Sequence, residues 1–207
     1  LSDYAQDPLV NLVIIALIVM GGLGFLVWRD LSTNRKWNCL SVHTRLVLIM
    51  TALLLIGGTL AIFVLEYSNP QTLGNMPVGN RVLASLFQAT TCRTAGFNTI
   101  DQGALRSGTA VICILLMFVG GSSGSTAGGI KTTSVAVLIL AAWSALRSRR
   151  DITVFHRRIE ERLVMQAVAL VMAALGLILT GSFILYTADN VSVERALYET
   201  VSAFSTT

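Results

Sequence analysis

The stretch Val82-Leu83-Ala84-Ser85-Leu86-Phe87-Gln88-Ala89-Thr90-Thr91-Cys92, followed at once by Arg93-Thr94-Ala95-Gly96-Phe97-Asn98-Thr99, decides the fold. Eleven uncharged residues make a helix of about 16 Å, half of the ~30 Å hydrocarbon core, so this segment can enter a membrane but not cross it. The loop after it sets a glycine among small and hydroxyl-bearing residues. Irregular backbone at membrane depth survives only where protein buries it or a hydrated path runs past it. A dehydrated monovalent cation needs neutral oxygens, which backbone carbonyls supply where glycine relaxes the chain; a ring of carboxylates would hold the ion too tightly or favour divalents. The candidate filter is therefore Thr94-Ala95-Gly96-Phe97-Asn98-Thr99, with the Thr94 hydroxyl at its inner end. A half-helix entering from outside also aims its partly negative carbonyl end at the membrane centre, which favours a cation.

Working outward, four uncharged stretches flank this segment: Leu9 to Trp28, Leu46 to Leu65, Ser107 to Ile130 and Leu163 to Ala188. Each is long enough to span a bilayer as a helix. With 54% hydrophobic and only 13% charged residues among 207, the chain cannot cover a water-exposed surface, and an all-α integral membrane protein is expected. The first stretch follows Asp3 and Asp7 instead of a basic flank, so it reads as a retained span and not a secretory signal. Three scattered cysteines and two histidines, His43 and His156, leave little for a disulfide framework, a transition metal or imidazole catalysis. No enzyme activity is expected.

Charge orients the spans, because Lys and Arg gather in short cytoplasmic loops. Arg29, Arg35, Lys36 and Arg45 fill one connection, and Arg147, Arg149, Arg150, Arg157, Arg158 and Arg162 another, which is 10 of the 15 basic residues. Both clusters are placed inside. They lack an aromatic platform, so lipid headgroups or a docking cytosolic partner fit them and nucleic acid does not. Residues 68–106 then lie outside, apart from the half-helix. Beyond Ala188, Val193 to Phe204 repeats the gesture, with Tyr198-Glu199 preceding Thr206-Thr207 much as Phe87-Gln88 precede Thr94-Ala95-Gly96. The unit is span, half-helix, loop, span. Residues 1–44 hold the last span of a preceding unit and a cytoplasmic loop, 45–150 a complete unit, and 151–207 the start of a following one. An ion-coordinating ring needs about four such loops, so the chain reads as an incomplete piece of a larger pore.

From Ser107 to Leu146 there are 40 residues with a single charge, about 60 Å as one helix, so this span must break. The break falls in Gly120-Gly121-Ser122-Ser123-Gly124-Ser125-Thr126-Ala127-Gly128-Gly129-Ile130-Lys131. Ile130 between the second glycine and the lysine, and no preceding strand, exclude a phosphate-binding loop. A mobile barrier beneath the filter is expected, with Lys131 reaching the inner interface, a carboxylate or loop carbonyls. Close helix packing through small residues is the plainer alternative. Gly21, Gly22 and Gly24 in the first span read as a packing surface within a helix of ordinary length. Arg93 beside a cation filter should be neutralised, and pairing with Glu199 or another outer carboxylate is expected. Asn190-Val191-Ser192 reads as a plain turn although it matches a glycosylation acceptor.

Arg93 through Thr99, together with Gly120 to Thr133, resembles the Trk/Ktr/HKT superfamily of potassium transporters, most closely the KtrB-type membrane subunits, over essentially the whole chain. The resemblance implies membrane-helix/pore-helix/membrane-helix repeats of the potassium-channel-like type with re-entrant filter loops, four to a chain and one filter strand in each. It implies potassium uptake across the plasma membrane, bacterial in setting, by a homodimer on a ring of cytosolic nucleotide-binding regulatory subunits (KtrA-type, RCK). It carries the K+ filter onto Thr94 to Asn98, the opening of the fourth strand onto Thr206 and Thr207, and an intramembrane gate onto Gly120 to Lys131. Two departures stand out: Ser123 where proline is common in the family, and Thr207 where valine is. Sodium translocation or Na+ coupling is the alternative within transport; a non-conducting scaffold or sensor is the alternative outside it.

Overall fold

The computed structural model describes residues 7–148, 151–155 and 157–207, which form eight α-helices and one two-stranded hairpin. Of the residues read above, Asp3, Arg149, Arg150 and His156 lie outside the described set. Two helices are continuous spans. The first, α3 (Val42–Glu66), starts where Ser41 Oγ accepts from Thr44 N at 3.2 Å. The second, α7 (Glu161–Asp189), stops at Asn190, whose φ of 51° is left-handed. Their 25 and 29 residues give about 37 and 43 Å, enough to cross. Leu53, Leu60 and Val64 on α3 and Leu177, Leu179 and Phe183 on α7 are all between 59% and 70% exposed. Water would penalise that surface and lipid does not.

The first span departs from its reading. Asp7 caps α1 (Pro8–Leu23) by accepting from Leu9 N and Val10 N at 2.9 and 3.3 Å, but the helix ends at Leu23 and the chain turns through 91° into α2 (Phe25–Thr33). The pivot is Gly24, at φ +83°. A residue with a side chain resists that backbone, and a Cβ here would sit 2.9 Å from the Ser123 carbonyl oxygen. Gly24 is thus a break as well as a close contact. At Gly21 and Gly22 a Cβ would meet nothing within 4 Å, so the space a side chain would take at either position is open among the described residues. The third span breaks where expected, into α5 (Ser107–Phe118) and α6 (Thr132–Leu146).

Two half-helices complete the architecture. α4 (Val78–Thr91) packs on α3 and α1, and α8 (Val193–Ser205) packs on α7 and α5. Their 14 and 13 residues give about 20 Å each, short of a crossing. The pairing of a long helix with a half-helix therefore occurs twice. One core joins the two copies: Ile62 of α3, Ala89 of α4, Cys113 and Met117 of α5, Ile178 of α7 and Val201 of α8. Ser192 Oγ starts α8 by accepting from Arg195 N at 3.3 Å, so the Asn190-Val191-Ser192 triplet is the turn it was read to be.

The base of α5 is tied to α3 by a buried carboxylate, Glu66. Its Oε1 accepts from Arg106 N at 2.9 Å and Thr109 Oγ1 at 2.5 Å, and its Oε2 from Asn69 Nδ2 and Thr72 Oγ1, both at 2.6 Å. Four donors satisfy one carboxylate, and removing it takes the acceptor from the buried Thr72 and Thr109 hydroxyls and from Arg106 N, while Asn69 Nδ2 keeps Ala104 O. Glu66→Ala should destabilise the full-length protein by roughly 3 kcal/mol, read as a lowered midpoint of thermal unfolding in detergent; an unchanged midpoint refutes the assignment. On the opposite side of the fold, strands β1 (Thr153–Val154) and β2 (Arg157–Arg158) pair antiparallel, and Phe155 between them lies 5.3 Å from the Arg45 guanidinium. This hairpin, which the sequence did not signal, joins the two basic clusters.

Candidate functional site

The ends of α4 and α8 converge. After α4, Ala95 N and Gly96 N donate to Thr91 O at 3.2 and 3.3 Å, and Thr91 Oγ1 donates to Phe97 O at 2.7 Å. The chain reverses there because Thr94 and Gly96 take φ of 65° and 70°. After α8, Thr206 is left-handed at φ 58°, Thr207 N donates to Ser202 O at 3.0 Å, and Ser202 Oγ donates back to Thr207 O at 2.7 Å. Each half-helix thus ties its return loop with a hydroxyl from its own last turns. A Cβ on Gly96 would lie 2.8 Å from the Thr207 carbonyl carbon, so the two loops touch.

Of the expected filter residues, Phe97 has its carbonyl committed to Thr91. The carbonyls of Thr94, Ala95 and Gly96 accept no hydrogen bond among the described residues. Gly96 and Asn98 border a cleft of about 210 Å³ whose far wall includes Glu199 and Thr207 of the other unit. Both half-helices end at this cleft, and the partly negative C-terminal ends of their dipoles make it favourable for positive charge.

The glycine-rich segment lies beneath. Its neck is closed by backbone bonds from Gly120 N to Ile130 O at 3.0 Å, Ile130 N to Phe118 O at 3.1 Å and Thr132 N to Gly121 O at 3.1 Å. Beyond the neck, Ser122 N and Oγ both donate to Gly22 O, at 3.0 and 2.9 Å, Ser122 Oγ also reaches Leu23 O, and Phe25 N donates to Gly124 O at 3.1 Å. The carbonyls freed by the break at Gly24 are therefore taken up by the segment itself. A Cβ on Gly128 would stand 2.7 Å from Ser205 O and from Thr206 Oγ1, which puts this backbone directly against the inner end of α8. Lys131 Nζ donates to Ala127 O at 2.6 Å, one of the loop carbonyls expected for it. Ser123 Oγ pairs with Thr133 Oγ1 at 3.0 Å, a contact that a proline there could not make.

Arg93 corrects its reading. Among the described residues the ion pair is Asp151 with Arg158, at 3.0 Å, and Arg93 does not meet Glu199. Its guanidinium is buried, reaching Gly120 O at 3.4 Å with Nε unpartnered. The reason is depth: Arg93 follows the inner end of α4, whereas Glu199 stands six residues, about 9 Å, up α8 from its own inner end. Arg93 therefore contacts the glycine-rich segment, and Glu199 the cleft. Sequence reasoning missed Ser122 as an anchor and missed Gln102, which hydrogen-bonds Gln88 behind the cleft; neither carries a periodic or compositional signal.

Comparison with known proteins agrees with this architecture. The sequence profile of the TrkH family, described as "Cation transport protein", matches residues 1–207. The "Ktr system potassium uptake protein B" of Bacillus subtilis is 41% identical over 206 residues, covering 100% of this chain and 46% of that protein. The protein of the same name from Vibrio alginolyticus is 35% identical, again over 100% and 46%. The "Potassium/sodium uptake protein NtpJ" of Enterococcus hirae is 33% identical, with the same shares. The chain thus spans about half the length of the curated relatives it matches. The crystal structure of the potassium transporter TrkH from Vibrio parahaemolyticus superposes with a TM-score of 0.71 at 18% identity, over 88% of this chain and 40% of that one, which shows a shared fold.

Proposed function

Because the chain belongs to the TrkH family of cation transport proteins, we propose that it is part of the ion-translocating subunit of a Ktr-type potassium uptake system, a multi-pass protein of the bacterial plasma membrane. Residues 45–150 form one complete membrane-helix/pore-helix/membrane-helix unit, 1–44 end the unit before it and 151–207 begin the unit after it. K+ passes the cleft between α4 and α8, shedding water onto the carbonyls of Thr94, Ala95 and Gly96 and onto oxygens of Asn98 and Thr206; Thr207, whose carbonyl takes the Ser202 hydroxyl and whose Oγ1 pairs with Ser205 Oγ, holds its loop in place. The observation that carries this reading is the set of uncommitted carbonyls at Thr94 to Gly96, held at the converging carbonyl ends of two half-helices. Phe97, tied back to Thr91, fixes the loop and does not face the ion.

Gly120 to Lys131 acts as the gate, anchored on one side to Gly22 and Leu23 and lying on the other against Ser205 and Thr206. Arg93 braces the gate through Gly120, and Glu199 adds negative charge to the approach. The "Ktr system" name of the relatives supports a multi-component assembly, which we read as a homodimer on cytosolic nucleotide-binding subunits that dock at the basic loops. The name of the Enterococcus relative favours Na+ as a second ion, either translocated or coupled.

The test uses the full-length protein in liposomes. A ligand bound only by the native state raises stability by mass action, so K+ should raise the midpoint of thermal unfolding relative to choline, and K+ should displace Rb+ uptake better than Na+ does. Ion-independent melting would favour a non-conducting scaffold, and equal displacement by Na+ would favour the sodium reading.

A further inference from the structure

We propose that Gln88, Gln102 and Tyr198 form a clamp behind the cleft that sets the spacing of the two adjacent filter loops, and so sets discrimination between K+ and Na+. The proposal rests on the filter reading above. Gln88 on α4 and Gln102, in the short turn Gln102–Ala104 after the filter loop, exchange both amide hydrogen bonds: Gln88 Nε2 donates to Gln102 Oε1 at 2.8 Å, and Gln102 Nε2 donates to Gln88 Oε1 at 3.0 Å. Tyr198 OH on α8 donates to the same Gln102 Oε1 at 2.9 Å. Gln102 Nε2 also reaches Ile100 O at 3.3 Å.

The placement gives the network its consequence. Gln88 lies six residues before Thr94 and Gln102 four residues after Asn98, so the amide pair closes a bracket around the whole loop between them. Tyr198 then links that bracket sideways to the half-helix that carries Thr206 and Thr207. All three side chains line the same cleft as Gly96 and Asn98. Gln88 is 1% exposed, and its amide has no water to turn to if a partner is lost. Discrimination between two alkali ions depends on how many oxygens surround the ion and how far they can follow it inward. A tie between neighbouring strands limits that movement, and the smaller ion gains most when it is cut. These are positioning residues, since they lie outside both Thr94–Asn98 and Thr206–Thr207 and act by tying those loops to each other.

The experiment is Rb+ uptake with Na+ as competitor, in the full-length protein in liposomes, with thermal unfolding as a parallel measurement. Tyr198→Phe keeps the ring and removes the hydroxyl. It is expected to let Na+ compete roughly fivefold better, the worth of one hydrogen bond, with the melting midpoint unchanged. Gln102→Leu, of similar volume, should raise Na+ competition likewise but with a lowered melting midpoint, because the buried Gln88 amide loses both bonds to its partner, and it is the second reading if Tyr198→Phe fails to fold. Unaltered competition in a folded variant overturns the clamp, as does loss of folding in both, because a tie confined to the filter leaves the helices assembled. Gly96→Ala separates the two claims. If Gly96→Ala loses discrimination while Tyr198→Phe retains it, the clamp alone falls; if Gly96→Ala retains it, the filter and the clamp fall together.

Discussion

Gly96→Ala in the full-length protein is expected to lower K+ over Na+ discrimination by about tenfold or more. Gly96 sits at φ +70°, where a side chain costs roughly 1–2 kcal/mol. The added carbon would also lie 2.8 Å from the backbone of Thr207, so the neighbouring loop cannot make room without moving. Relief has to come from rotating the peptides on either side, and those peptides carry the Ala95 and Gly96 carbonyls. The N–H groups of the same two residues are held by Thr91 O, so rotation breaks the anchor as well. Na+ competition against Rb+ uptake reads the outcome, and a wild-type ratio in the variant refutes the filter assignment.

The second large effect is expected from shortening the glycine-rich segment. Replacing Ser122 to Ala127 with two glycines should raise K+ flux several-fold while the protein stays folded. The neck bonds at Gly120, Ile130 and Thr132 lie outside the deletion, so α5 and α6 keep their relation. The anchor of Ser122 on Gly22 and Leu23, and that of Gly124 on Phe25, both go, as does the carbonyl that holds Lys131. What remains is too short to hold Gly128 against Ser205 and Thr206. Flux that falls at an unchanged melting midpoint would mean the segment packs the helices and does not obstruct the path. A lid opens by breaking the ties that bind it to its surroundings, and beyond the neck those to α1 and α2 are the Ser122 and Gly124 bonds.

Much of this was legible in the sequence because the bilayer imposes lengths. Leu46 to Leu65 and Leu163 to Ala188 could only be spans, Val82 to Cys92 could not be one, and 40 nearly uncharged residues from Ser107 had to break at the glycines. The break at Gly24 was not legible: a glycine in an apolar run of spanning length reads equally well as a packing surface, and what fixes the bend is a segment a hundred residues later. Arg93 was misjudged for the same reason. Its charge was visible, but a backbone carbonyl at Gly120 has no signature, so Glu199 or another outer carboxylate was expected for it. Glu66 looked like any charge at a helix end until Arg106, Thr109, Asn69 and Thr72 closed around it. Two-residue strands such as β1 and β2 are too short to carry alternation.

The anchoring of the glycine-rich segment on the carbonyls at Gly22 and Leu23 bears on how the molecule can be taken apart. Residues 45–150 look like a portable module, yet the loop they contain is moored beyond its neck on the bent helix that precedes it. A chimera that transplants only those residues into a distant homologue would carry a loop whose moorings stay behind. The smallest unit that can be exchanged, or can acquire its conformation during insertion from the ribosome, begins upstream of Gly22, and the repeats must be completed in chain order.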